Sequence, residues 1–332
     1  MIFDGSAAQA RAVLGAMAAV ARQGHHGELP ELDLVALRSA TTLVFGLPAE
    51  TPVADLAEPT PEEFADLLGA RASEAMVPLV VMSTVDGRVV EPAAALVRDY
   101  ADASGLAEPA VRDLEELVHG ELAPARADML RRNRESITGE WVDDTSTYGD
   151  WLFPYRDAPD EALVARYAAL ADAEPGSFGR AFHDFYVDNG FGFAGEAASA
   201  SEEFTTPHDS AHVLSGYDTS VQGELLVSTF TAGMHVEQGL AGHILPVIAS
   251  WHLGIPLSDL AGSATGALDV PKFWSAWNRG DSTSGDTFDP SWDFWSAVGR
   301  SIDEVRTDLG VPPLDPADAA DGKYPDWYTP SA

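Results

Sequence analysis

The sequence predicts an all-α protein of two helical domains, the second carrying a metal site across a helical hairpin. Three observations lead there. Strand signals are scarce along the 332 residues, and helix starts recur with their caps. Two helix-forming runs, residues 206–216 and 221–234, also face each other across the short polar turn Tyr217-Asp218-Thr219-Ser220.

From the N-terminus, Ser6 with Gln9 and Thr60 with Glu63 form capping boxes, and Pro61 stands at a first helical position, where its missing N–H is not needed. Laying Gly27-x-x-x-Glu31 on Gly87-x-x-x-Glu91 reveals an internal repeat, each copy flanked by apolar helical runs. Residues 1–122 therefore read as one helical domain of two related halves. In the second half, Val85-Asp86-Gly87-Arg88-Val89-Val90-Glu91-Pro92 is a tight turn entering a helix, and it resembles the TerB-like (tellurite-resistance) family, whose helical domain carries a similar Asp-Gly turn followed by a Glu. The resemblance spans about the first third of the chain. His25 and His26 stand in the first half where an acidic residue is expected, so the turns are read as structural rather than metal-binding.

Residues 123–159 read as a helix and connector. Arg126, Arg131, Arg132 and Arg134 precede an aromatic, polar run with Trp141, Trp151 and Tyr155. These arginines are assigned to pairing with the surplus carboxylates in preference to an anionic ligand or a membrane. Residues 160–314 form the metal-binding domain. Residues 315–332, rich in Pro, Asp and Gly and without apolar period, read as a tail.

The 53 acidic against 19 basic residues give a formal charge of -34, which repels phosphate backbones and anionic headgroups. Nucleic acid is excluded as a partner on this ground, and membrane contact is at most peripheral. With no cysteine, disulfides, thiolate metal sites and cysteine nucleophiles are excluded, and a transition-metal site has to use His and carboxylate. Arg11, Arg22 and Gln23 interrupt the Ala-rich start, so no signal-peptide pattern is seen and a cytoplasmic protein is expected. The longest apolar stretch, Leu240–Ile255, contains His243, Pro246 and His252 and is too short to span a bilayer, though it could form a lipid-facing groove. A homo-oligomer is left open.

The chemistry concentrates in Thr206-Pro207-His208-Asp209-Ser210-Ala211-His212-Val213-Leu214-Ser215-Gly216, read as a short helix with Thr206 as N-cap, a first-turn proline and a C-cap glycine. His208 and His212 are one turn apart on one face, as two helical ligands of one ion must be. Asp209 lies about 100° round the helix from His208, able to complete the shell or to orient an imidazole. The run Val221–Met234 follows, capped by Thr219 or Ser220, and Glu224 falls at the height of His212 on the facing helix. His208, Asp209, His212 and Glu224 are thus the expected metal ligands. They suit Zn²⁺ first, with Mn²⁺ and Fe²⁺ open. His235, roughly 16 Å further along the helix, is too far to join. His183, His243 and His252 are assigned structural roles.

The pattern H-D-x-x-H, eleven residues, then E, is similar to that of the coenzyme Q (ubiquinone) biosynthesis protein 4 family. The flanks agree in Pro175–Phe182, Asn189-Gly190-Phe191, Gly223-Glu224, Trp274–Gly280, Glu304-Val305-Arg306 and Leu309-Gly310, over about residues 160 to 314. The resemblance implies an all-helical fold holding a divalent ion, usually regarded as zinc, through the four matched residues. It also implies an activity that replaces the carboxyl group of a polyprenylated aromatic ring by a hydroxyl, and association with other quinone-biosynthesis proteins. Ser210-Ala211 stands where the family often has a bulky residue before the second histidine, which implies either a wider pocket beside the metal or a different substrate.

Three functions follow from different classes. In the first, the ion binds the phenolate or carboxylate of a hydrophobic-tailed aromatic molecule and assists its decarboxylation and hydroxylation. A metal-stabilised lipid-binding scaffold without turnover is the second. The third, ranked last, is hydrolysis, because H-D-x-x-H is close to the zinc protease signature but has the shorter Asp. The sequence assigns no catalytic acid or base.

Overall fold

The computed structural model describes residues 3–235, 237–257 and 262–330, and these contain helices and turns with no strand beyond two isolated bridges. The all-α expectation holds. The chain divides into two compact units, each discontinuous in sequence: Met1–Met129 with Leu240–Asn278, and Leu130–Gly239 with Arg279–Ala332.

The first unit contains α1 (Ala7–Gly24), α2 (Glu31–Leu43), α3 (Pro61–Leu68), α4 (Ala72–Met82), α5 (Glu91–Ala103) and α6 (Pro109–Val118), and α7 (Leu122–Thr138) begins in it. Val13, Leu14, Met17 and Val20 of α1 pack in its core with Met76, Leu79 and Val80 of α4 and Val97 of α5. Both capping boxes form as expected. So do the repeat's landmarks: α2 and α5 start at Glu31 and Glu91, preceded by Gly27 and Gly87 at φ +94° and +76°. His25, two residues before Gly27, brings the two turns together, its Nε2 lying 3.3 Å from Asp33 and 3.5 Å from Asp86.

Compactness cuts the chain elsewhere than the boundaries at 122 and 160. The apolar stretch Leu240–Ile255, read as part of the metal-binding segment, belongs to the first unit, where a π-helical turn over Gly239–Ile244 leads into α13 (Leu245–Trp251). Its anchor is His252, which is buried. Nε2 lies 2.9 Å from the Thr84 carbonyl and 3.2 Å from that of Val85, while Nδ1 accepts from the Leu268 amide. Nδ1 therefore lacks the proton and Nε2–H donates into the second repeat turn. Helix α14 (Val270–Asp281) follows, and the unit boundary falls inside it as it does inside α7.

The second unit adds α8 (Tyr148–Leu152), α9 (Glu161–Ala168), α10 (Phe178–Asn189), α11 (Glu202–Ser215), α12 (Val221–Met234), α15 (Phe294–Ala297) and α16 (Ile302–Leu309). Phe178, Phe182, Phe185 and Tyr186 recur at helical spacing on α10 and bury one aromatic face against Tyr167, Phe294, Val213 and Leu214. Full burial of such side chains contributes about 1.5–3 kcal/mol each. Residues 316–330 are packed into this unit rather than forming a tail: Ala319, Ala320 and Tyr328 are buried, and the Arg306 guanidinium lies 4.5 Å from the Tyr328 ring centre. A few well-placed small and aromatic residues suffice for that, without any apolar period. Among the described residues no helix is long and apolar enough to cross a membrane.

Candidate metal centre

The N-cap of the helix that carries the two histidines lies five residues before the expected cap at Thr206. Ser201 is the N-cap, accepting from the Phe204 amide, and Pro207 lies inside α11. The competing signals are local and tertiary. Glu202 and Glu203 place carboxylates at the positive end of the helix dipole. Tyr167 bonds to both Glu202 and Thr206, Trp151 Nε1 donates to Glu203, and the Tyr155 hydroxyl accepts from the Glu202 amide. Those contacts offset the one intrahelical bond that Pro207 cannot donate.

At the other end the expectations hold: Gly216 is the left-handed C-cap of α11, and Ser220 caps α12 by accepting from the Gly223 amide. A Cβ at Gly223 would sit 2.1 Å from the Asp218 carbonyl oxygen, so the tight turn needs glycine immediately before Glu224. Two buried arginines finish α11. Arg306 donates to the Val213 and Leu214 carbonyls and Arg279 to that of Ser215, so guanidinium charge meets the negative helix end.

His208, His212 and Glu224 converge, each offering one ligand atom within 4.8 Å of the others. The two Nε2 atoms are 3.2 Å apart, and the Glu224 oxygens lie 3.5 Å from His208 and 3.6 Å from His212. An ion about 2.0–2.2 Å from three tetrahedral donors separates them by about 3.3–3.6 Å. The separations come close to this, with Glu224 turning Oε2 to His208 and Oε1 to His212. His212 Nδ1 donates to the Tyr217 carbonyl at 2.8 Å, which leaves the Nε2 lone pair facing the site in the neutral ring. Phe185 stacks on His212 and Phe204 on His208, fixing both planes.

The electrostatics fit a cation as well. Burial would raise the Glu224 carboxyl, but His212 and His208 hold it well below the usual carboxylate range. Burial would lower His212, yet the Glu224 and Asp209 carboxylates and the Tyr217 carbonyl raise it. His208 and Glu224 remain partly exposed, with side-chain exposures of 19% and 24%, so the ligand edge is open to solvent.

Asp209 lies outside the convergent group. Its buried carboxylate accepts a 2.5 Å hydrogen bond from the Tyr186 hydroxyl of α10, and burial raises its proton affinity. Tyr186 is the residue that sequence reasoning missed, because within the stripe of Phe182, Phe185 and Tyr186 nothing distinguishes it from core. His235, set aside for distance, caps the end of α12: Nδ1 donates to Asp286 at 2.6 Å and Nε2 lies 2.9 Å from the Ser136 carbonyl. His183 lies 3.3 Å from Asp184, and His243 is buried. Of the connector arginines, Arg131 donates to the Asp143 carbonyl, and Arg134 approaches Thr147 and the Trp151 ring. A second convergent set among the described residues, Asp113, Glu116 and Asp128 of the first unit, has carboxylates alone.

No family model, curated protein or solved structure matches the chain.

Proposed function

We propose that the α11–α12 hairpin holds a divalent ion, zinc first, and that the protein acts on a hydrophobic-tailed, prenylated aromatic acid, exchanging its ring carboxyl for a hydroxyl. The observation that carries the metal reading is the convergence of His208, His212 and Glu224 at the separations one ion requires. The substrate class follows from the resemblance of His208 to Glu224 and its flanks to the ubiquinone-biosynthesis family. Phe191 and Val187 add exposed apolar surface near the site, Phe191 packing on the buried Phe185 that stacks on His212.

When bound, the ion supplies Lewis-acid polarisation of a carboxylate or phenolate, and a redox ion such as Fe²⁺ in its place would also handle oxygen. His212, fixed by Tyr217, and Glu224, fixed by the Gly223 turn, orient the ligand atoms. The aromatic face of α10 excludes water from one side. Exchange of carboxyl for hydroxyl is a two-electron oxidation in which carbon dioxide leaves, so dioxygen or an equivalent acceptor takes the electron pair.

The test uses the full chain purified without an affinity tag. His208→Ala, His212→Ala and Glu224→Gln are each expected to remove bound metal and lower thermal stability. Full occupancy in His212→Ala would sink the assignment. Phenolic acids of increasing tail length, titrated into metal-loaded and metal-free protein, should bind more tightly by about 0.8 kcal/mol per buried CH₂ and in a metal-dependent way. Tail-dependent binding indifferent to metal, with no carboxyl loss under air, would establish the scaffold instead.

A further inference from the structure

The geometry points to Tyr186 as a positioning residue that holds the Asp209 carboxylate back from the ion, so that the protein supplies three ligands and leaves a coordination position to substrate. This rests on the metal reading above and adds what sets the coordination number. Asp209 follows His208 on α11, and its short side chain is near enough to both imidazoles to feel them electrostatically, yet it is not among the convergent donors. Its carboxylate is taken by the Tyr186 hydroxyl at 2.5 Å.

The tyrosine itself has little freedom. Its ring stacks between Phe182 at 4.9 Å and Phe193 at 5.1 Å, with Phe185 on its edge, and the residue is 3% exposed. A hydroxyl held that firmly in an apolar setting gives a carboxylate a strong, charge-assisted partner, since no water competes for it. The bond takes Oδ2 and holds the group in an orientation in which neither carboxylate oxygen is among the convergent donors, so Asp209 has to turn away from the hydroxyl to reach an ion. Four protein ligands would close a tetrahedral shell, whereas three keep one position for an exchangeable ligand. The phenol thus controls whether the site is a closed structural centre or an open one, and it does so without touching metal or substrate.

Tyr186→Phe keeps the ring and its packing and deletes the bond. Released, Asp209 joins the shell, so Zn²⁺ affinity, measured by chelator competition, should rise on the order of tenfold. The Co²⁺-loaded wild-type protein should change its visible spectrum when thiocyanate or salicylate is added, and the Tyr186→Phe protein should not. Asp209→Asn should then weaken Zn²⁺ binding more in the Tyr186→Phe background than in the wild type, again on the order of tenfold, a coupling that mere loss of stability would not produce. Equal effects of Asp209→Asn in both backgrounds, or an unchanged anion response in Tyr186→Phe, would overturn the positioning role while leaving the three-ligand site standing. Absence of Zn²⁺ and Co²⁺ binding in every form would overturn the site and this role together.

Discussion

Replacing Asp33 by Asn should stabilise the first unit at neutral pH and leave it nearly unchanged at pH 3. Asp33 sits in the first turn of α2 with 2% of its surface exposed, and its Oδ2, though 3.3 Å from His25 Nε2, has no aligned hydrogen-bond donor. Burial raises its pKa from 3.8 to about 6; the nearby Asp86 adds to this, while His25 and Arg88 offset part of it. Well below pH 3.8 the carboxyl is protonated whether the chain is folded or not, and the penalty is absent. As pH climbs from 4 to 6 the unfolded chain ionises first, so folding loses stability, and above 6 the loss is complete at about 3 kcal/mol. An amide does not titrate. The Asp33→Asn gain should therefore grow through pH 4–6 and level off near that figure. Urea unfolding followed by hydrogen exchange in peptides from α1 and α5 reads this unit separately from the other. A gain that is the same at pH 3 and pH 7 would refute the reasoning, because it would come from packing and not from the charge.

Two further substitutions test how the hairpin is held. Gly223→Ala forces a methyl against the Asp218 carbonyl and should cost about 1–3 kcal/mol in the second unit while weakening zinc binding, since Glu224 is the next residue. Wild-type values in both a urea melt and a zinc titration would show that the turn does not set the Glu224 position. Arg306→Met keeps the apolar stem of the side chain but strips the Val213 and Leu214 carbonyls of their buried donor, at about 1–3 kcal/mol per carbonyl left unpaired. Faster amide exchange at the end of α11 is the expected reading, and unchanged protection would mean that packing alone anchors the helix.

What could be read in the sequence was what neighbours along the chain decide. The capping boxes at Ser6 and Thr60, the stop at Gly216, the cap at Ser220, and the convergence of His208 and His212 with Glu224 all depend on residues within a few turns of one another. The start of α11 was misplaced because a proline in the first turn is the stronger local sign, while Tyr155 and Tyr167, which favour Ser201, lie over thirty residues away in sequence. The apolar character of Leu240–Ile255 signalled burial without a destination, since the partners of His252 at Thr84 and Val85 are more than 160 residues distant. The fate of Asp209 belongs to the same class. Spacing on α11 lets it reach an ion or a second partner equally well, and the choice falls to a hydroxyl on α10 that sits in an aromatic stripe. Spacing along the helices thus defines which of these side chains are able to converge, whereas a long-range hydrogen bond such as that of Tyr186 to Asp209 decides which of them do.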